Sequence, residues 1–124
     1  MSSWQITIPG RPVPKARPRV CKNGHTYTPE RTKNAEETMQ WHIKQVLKDI
    51  VITKPVILRA YFNFRSAKNA GDPHTIRPDL DNLVKLVCDA LLPWLSDDAI
   101  ITEIHARKIY TIDDSTYIEM RVLK

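Results

Sequence analysis

The amino-acid sequence predicts an α+β domain, a small mixed β-sheet of about four strands with helices packed on it in the order β-α-β-α-β-β. Three observations predict it. Segments with apolar residues at period two occur as strand, strand and hairpin, and two longer segments with apolar residues at helical spacing fall between them. The chain has 124 residues, a length that bounds it to a single domain over 1–124 with a real but modest core. It contains no repeat and no low-complexity stretch. With 42% hydrophobic and 27% charged residues, the composition is that of a globular protein.

The elements follow in order. Residues 4–8 alternate Trp, Ile, Ile against Gln, Thr and read as a short strand. Next comes GRPVPKARPRVCKNGHTYTP, where Arg11, Lys15, Arg17, Arg19 and Lys22 occur with no acid until Glu30. Pro9, Pro12, Pro14 and Pro18 hold this segment extended and deny it helix or central strand. A stiff cationic segment suits a phosphate backbone, because little ordering entropy is lost on binding; the plain alternative is a solvated loop. Asn23-Gly24 is a turn signal, so 20–27 reads as a small hairpin. Thr28-Pro29-Glu30 opens a helix with a capping hydroxyl, a proline at the first position and an early acid. Its buried face to about residue 51 is marked by Ala35, Met39, Ile43, Val46, Leu47 and Ile50, with Trp41 and His42 at or beside it. His42 has no nucleophile or ligand set nearby and reads as structural. Arg31, Lys33, Lys44 and Lys48 could touch a nucleic-acid backbone, but charged helix surfaces are usually only solvated.

Residues 55–65 form the next strand, with Val56, Leu58, Ala60, Phe62 and Phe64 on one face. Then RSAKNAGDPHTIRP breaks all periodicity, and loops that long in a small domain are usually functional or disordered. Lys68, His74 and Arg77 are candidate phosphate contacts there. Asp72 lies in a segment expected to be mobile and ranks below the acids that follow; His74 as a proton shuttle has nothing beside it in sequence to support the role. Residues 80–92 read as a helix opened by Asp79 after Pro78. On its wheel Asp81, Asn82, Lys85 and Asp89 share one narrow arc and apolar residues fill almost all the rest, so the polar stripe must line a cleft or a seam. Residues 100–112 form a strand with Ile104, Ala106, Tyr110 and Ile112 on one face. It turns at Asp113-Asp114-Ser115 and returns as a hairpin over 117–123 with Ile118, Met120 and Val122 inward. Turn chemistry accounts for Asp113 and Asp114.

The acids around the central helix are the candidate chemistry. Asp79 and Asp81 sit where unpaired N–H groups and the helix dipole favour negative charge, and the bland reading is a cap plus an Asp81–Lys85 pair worth about 0.2 to 0.5 kcal/mol. That reading leaves out WLSDDAII, a second acidic pair where the chain turns back toward a strand. The helix rises roughly 16 Å and six extended steps span roughly 20 Å, so Asp98 can reach Asp79 and Asp81. Like charges at about 5 Å and an effective dielectric near 20 cost on the order of 3 kcal/mol per pair. A hard divalent cation removes that cost, and carboxylates with retained waters suit Mg²⁺, with Mn²⁺ as a substitute, for phosphoryl chemistry. Asp97 either caps the turn or supports Asp98.

The run RPDLDNLVKLVCDALL followed by WLSDDAII resembles the signature of RusA-type Holliday-junction resolvases (crossover junction endodeoxyribonucleases), small dimeric enzymes of phages and prophages that nick four-way DNA junctions with Mg²⁺. The match is compound: D-x-D-N, a lysine four on, D-A, then W-x-x-D-D-A. It covers about the middle fifth of the chain, with one departure in the tight, glycine-free Leu92-Pro93-Trp94 connection. The resemblance implies that Asp79, Asp81 and Asp98 bind the metal, that Lys85 is functionally important, and that the protein is a RusA-like homodimer. It also implies paired symmetric nicks in branched DNA during recombination and repair, in a bacterial host. The PKARPR run is a further feature shared with some members.

A formal charge of +5 suits a polyanion partner and is weak alone. Cys21 and Cys88 lack metal-ligand spacing and a disulfide is not expected. No apolar run approaches a membrane span and the start lacks a signal peptide's apolar segment, so a cytoplasmic location without membrane contact is expected. No small-molecule cofactor is expected. Two other classes stay open: a basic DNA-binding module whose acids only cap and solubilise, and a phosphotransfer enzyme on small nucleotides, which the missing glycine-rich phosphate loop disfavours.

Overall fold

Nine residues that alternate fully buried with half-buried side chains, closed by an exposed Arg65, make β4 (Val56–Arg65) the spine of the fold. A computed structural model of the chain describes residues 2–16, 19–27 and 29–123, with only the backbone of Arg19. Thr28, offered as a helix cap, and Arg17, offered as a phosphate contact, lie outside the described residues. The main sheet has the order β1-β6-β4-β5, where β1 is Ser2–Pro9, β5 is Ile101–Thr111 and β6 is Ser115–Val122. β4 pairs antiparallel with β6 and parallel with β5, so the sheet is mixed. The parallel pair requires a crossover, and α2 (Leu80–Leu91) supplies it. A separate two-stranded ribbon, β2 (Arg19–Val20) and β3 (Thr26–Tyr27), turns at Gly24 with φ +86, which glycine tolerates best.

One core joins these layers. Val56, Leu58, Ala60, Phe62 and Phe64 of β4 are buried with Met39, Ile43 and Leu47 of α1 (Glu30–Leu47), Ile118 and Met120 of β6, and five residues of α2. Those five are Leu83, Leu86, Val87, Ala90 and Leu91. Each such leucine contributes about 1.5–3 kcal/mol by leaving water, so α2 is fixed mainly by its apolar face and not by its short length of helix. No helix among the described residues is long and apolar enough to cross a membrane.

Four expectations change. The hairpin over 100–112 and 117–123 is absent, because β4 lies between β5 and β6. The Asp113-Asp114 turn instead passes across the end of β4, where Arg65 N–H donates to Asp114 Oδ1 at 2.7 Å and Gly10 N–H donates to the Asp114 carbonyl. As an edge strand, β5 leaves Ile104 exposed, and Ile112 lies beyond the strand in solvent. α1 ends at Leu47, where Lys48 adopts φ 54, so Ile50 leaves the helix and is exposed; Val46 and Trp41, inside the helix, are exposed as well. α2 ends at Leu91 in a 3₁₀ turn, Leu92–Trp94, because Pro93 cannot donate to the helix ladder.

The fourth change concerns the long loop 66–78. It is tied along the free edge of β5: Ser66 and Gly71 N–H groups donate to the Thr111 and Tyr110 carbonyls, Tyr110 N–H donates to Asp72 C=O, and His74 N–H donates to Lys108 C=O. Pro73 bridges antiparallel to Ile109. Asp72 is therefore held by the sheet and is not in a loosely attached segment.

Candidate active site

Three basic segments meet where the helices begin. The proline-rich segment crosses the starts of α1 and α2 and is fastened to both. Ala16 N–H donates to Thr32 Oγ1 at 3.1 Å, and Thr32 Oγ1 donates to the Pro14 carbonyl at 3.4 Å. Lys15 N–H donates to the Asn82 carbonyl at 2.9 Å. The Lys15 ammonium lies 3.1 Å from Glu36 Oε1 on α1 and 3.3 Å from Asp89 Oδ2 on α2. Burial pulls its pKa down, but the bonds to Glu36 and Asp89 outweigh that and raise it above 10.5. Lys15, expected among the phosphate contacts, thus spends its charge as a cross-link between helices.

The result is a groove of about 470 Å³ between this segment and the two helix starts, with Arg11, Arg31, Arg77, Asp79 and Asn82 in its wall. Arg11 is steered by its guanidinium lying 5.2 Å from the centre of the Phe64 ring, which also stacks on His74 at 3.9 Å. Arg77 and Asp79 arrive at the end of the tied loop, after a cis Arg77–Pro78 peptide. Lys108 of β5 donates from Nζ to the Ile76 and Pro78 carbonyls, each at 2.8 Å. Asp79 holds the N-cap position, yet its side chain makes no capping hydrogen bond and it is exposed. Its carboxylate is free of the task that the bland reading gave it.

Three arginines beside two helix N-termini form a place where phosphate is favoured. One carboxylate, that of Asp79, stands in the wall of this otherwise basic groove, and Asp81 follows it in the first turn of α2. Residues 9–121 match the family described as Endodeoxyribonuclease RusA. The chain belongs to the RusA family. It is also 26% identical over 138 positions to the uncharacterized protein YqaN of Bacillus subtilis (strain 168), an alignment covering 98% of this chain and 97% of that one. RusA membership points to nuclease activity at DNA junctions.

Within this RusA chain the signature residues are placed unevenly. Asp79 and Asp81 are exposed one residue apart at the start of α2. Lys85 is exposed and its ion pair is with Asp89, 3.4 Å away, in place of the Asp81 partner of the bland reading. Asp98 is exposed and opens a 3₁₀ turn, Asp98–Ile100, ahead of β5. Its charge is felt at Cys88, whose thiol is pushed up by burial first and then by Asp89 and Asp98, against the pull of Lys85. Cys88 lies seven residues beyond Asp81, about 10 Å along the helix axis. Among the described residues, no three His, Cys, Asp or Glu side chains come together closely enough in one chain to hold a metal. Asp97 caps the turn by accepting from Ala99 N–H at 2.8 Å; that bond, and then one with Asp98, hold its carboxyl below the usual carboxylate value.

Lys22 and Lys68 are exposed and stand outside the groove wall. His74 is 4% exposed, packed between Phe64 and Tyr110. Sequence reasoning left Arg31 among solvated helix charges, although its place in the first turn after Pro29 was a signal. Thr32 and Lys108 carried no signal, since their roles exist only once distant segments meet.

Proposed function

We propose that this chain is a structure-selective endodeoxyribonuclease that resolves four-way DNA junctions by paired symmetric nicks, acting as a homodimer with Mg²⁺, or Mn²⁺ as a substitute. The observation that carries this reading is the exposed, uncapped carboxylate of Asp79 in a groove lined by Arg11, Arg31 and Arg77. Family membership supports the same class of reaction.

Arg11, Arg31 and Arg77 grip phosphate oxygens of one strand, and Lys22 and Lys68 touch the backbone farther out, so affinity falls with salt and depends little on base sequence. Asp79 and Asp81 fit Mg²⁺ in chemistry, because this ion is commonly held through one or two carboxylates with several waters kept. When bound, the ion supplies an activated water and charge that steadies the departing 3′ oxygen. Lys85, whose ion pair is with Asp89 rather than Asp81, offsets the charge that builds on the phosphate. Asp98 is the third acid. Because no three such acids gather within one chain among the described residues, we take Asp98 to be delivered to those two from the second protomer of a two-fold dimer.

Asp81→Asn on a synthetic four-way junction with Mg²⁺ tests the reading. Nicking should fall by at least about 100-fold, as for loss of a group that acts on developing charge. Junction binding and ion-free thermal stability should persist. Nicking at the native rate would favour the DNA-binding module instead.

A further inference from the structure

Lys108 lies on β5, outside the RusA signature, yet it reaches back 32 and 30 residues to Ile76 and Pro78, in the loop that presents two of the groove's side chains. Its ammonium donates 2.8 Å hydrogen bonds to the carbonyls of Ile76 and Pro78, the residues on either side of Arg77 and immediately before Asp79. Its own carbonyl accepts from His74 N–H, so one residue fixes the loop both through its backbone and through its side chain. The rest of the loop follows the edge of β5 through Gly71, Asp72 and Pro73. Beyond His74 no backbone bond to β5 occurs among the described residues, and the Lys108 side chain takes over from the ladder.

We propose that Lys108 is a positioning residue for phosphodiester cleavage: by clamping the carbonyls of Ile76 and Pro78 it sets where the Asp79 carboxylate and the Arg77 guanidinium stand in the groove. The inference rests on the reading of Asp79 as part of the cleavage site. Charge-assisted bonds to two neutral carbonyls are stronger than neutral ones and cannot be replaced by water without freeing the loop end. A lysine suits this place because its three N–H donors can serve carbonyls in different directions. Displacing a reacting group by about 1 Å costs on the order of 100-fold in rate.

The test uses Lys108→Met, which keeps the stem and removes the donors, with Lys108→Arg and Lys108→Gln beside it. On a four-way junction with Mg²⁺, Lys108→Met should lower kcat by about 100-fold with a much smaller change in KM. Lys108→Arg should recover part of the loss, and Lys108→Gln less. In the ion-free protein, hydrogen exchange of Lys108→Met should quicken at the His74 and Tyr110 amides while the core strand amides of Ile118 and Met120 keep their protection. A native kcat, an arginine variant no better than the methionine one, or exchange that rises equally throughout the chain would overturn the proposal. A native protein that binds junctions and nicks none would overturn the cleavage reading instead, and the exchange measurement would still decide whether Lys108 holds the loop.

Discussion

His74 is the clearest case of a side chain whose surroundings set its protonation. Burial between Phe64 and Tyr110 holds the imidazole neutral, and the charges of Lys108 and Arg11 push its pKa farther below 6.5. With the folded pKa depressed, unfolding takes up a proton on the acid side. The stability this group contributes is full above about pH 6.5 and is lost as pH falls toward the lowered value. Thermal midpoints of the native chain should therefore drop as pH falls below about 6.5, and His74→Gln should flatten that part of the curve. The sequence placed His74 in the right loop, but a shuttle needs access to solvent or substrate, and a ring 4% exposed has neither. Asp79 was legible because Pro78 and the apolar run after it locate the helix start. That its carboxylate stays off the helix was not, since capping is decided by the side-chain rotamer and not by the residue type.

At the scale of elements, the proline-rich segment is held by polar contacts far more than by a core of its own, and Thr32 is central to them. Thr32 is buried and its hydroxyl serves Ala16 N–H and the Pro14 carbonyl together. Thr32→Val keeps the shape and leaves both groups unmet, so chemical denaturation should show a loss of about 1–3 kcal/mol. Junction affinity should fall as well, because Arg11 rides on the same segment. Period-two alternation revealed β1, β4 and β6, and helical spacing revealed α1 and α2, since those patterns are local. Which strand β5 would join was not local. An Asp-Asp-Ser turn serves a hairpin and a passage across a third strand equally well, and only the α2 crossover, which lays β5 parallel to β4, decides between them. The end of α1 was misplaced for a related reason: Ile50 continues the apolar spacing although the chain has already turned at Lys48.

For the whole molecule, the two-fold reading makes a sharp demand. Asp79→Asn and Asp98→Asn proteins should each be inactive alone. Mixed and allowed to exchange protomers, they should regain one intact site per mixed dimer, seen as nicks in one strand of a labelled junction without paired resolution. No recovery would place all three acids in a single chain. Sequence reach arguments permitted Asp98 to meet Asp79 because an extended connection is long enough. The chain instead takes up part of that length in the 3₁₀ turn Leu92–Trp94, and Trp94 is anchored by donating from Nε1 to the Lys48 carbonyl at 2.8 Å.

The cross-linking of Lys15 leaves arginine as the remaining cation in the groove wall, in Arg11, Arg31 and Arg77. A guanidinium is a flat fork that can meet two oxygens at once, whereas an ammonium acts as a point charge. On the proposed reading, exchanging any one of the three for lysine keeps the charge yet should still loosen the junction, seen as a larger Kd in a titration at fixed salt.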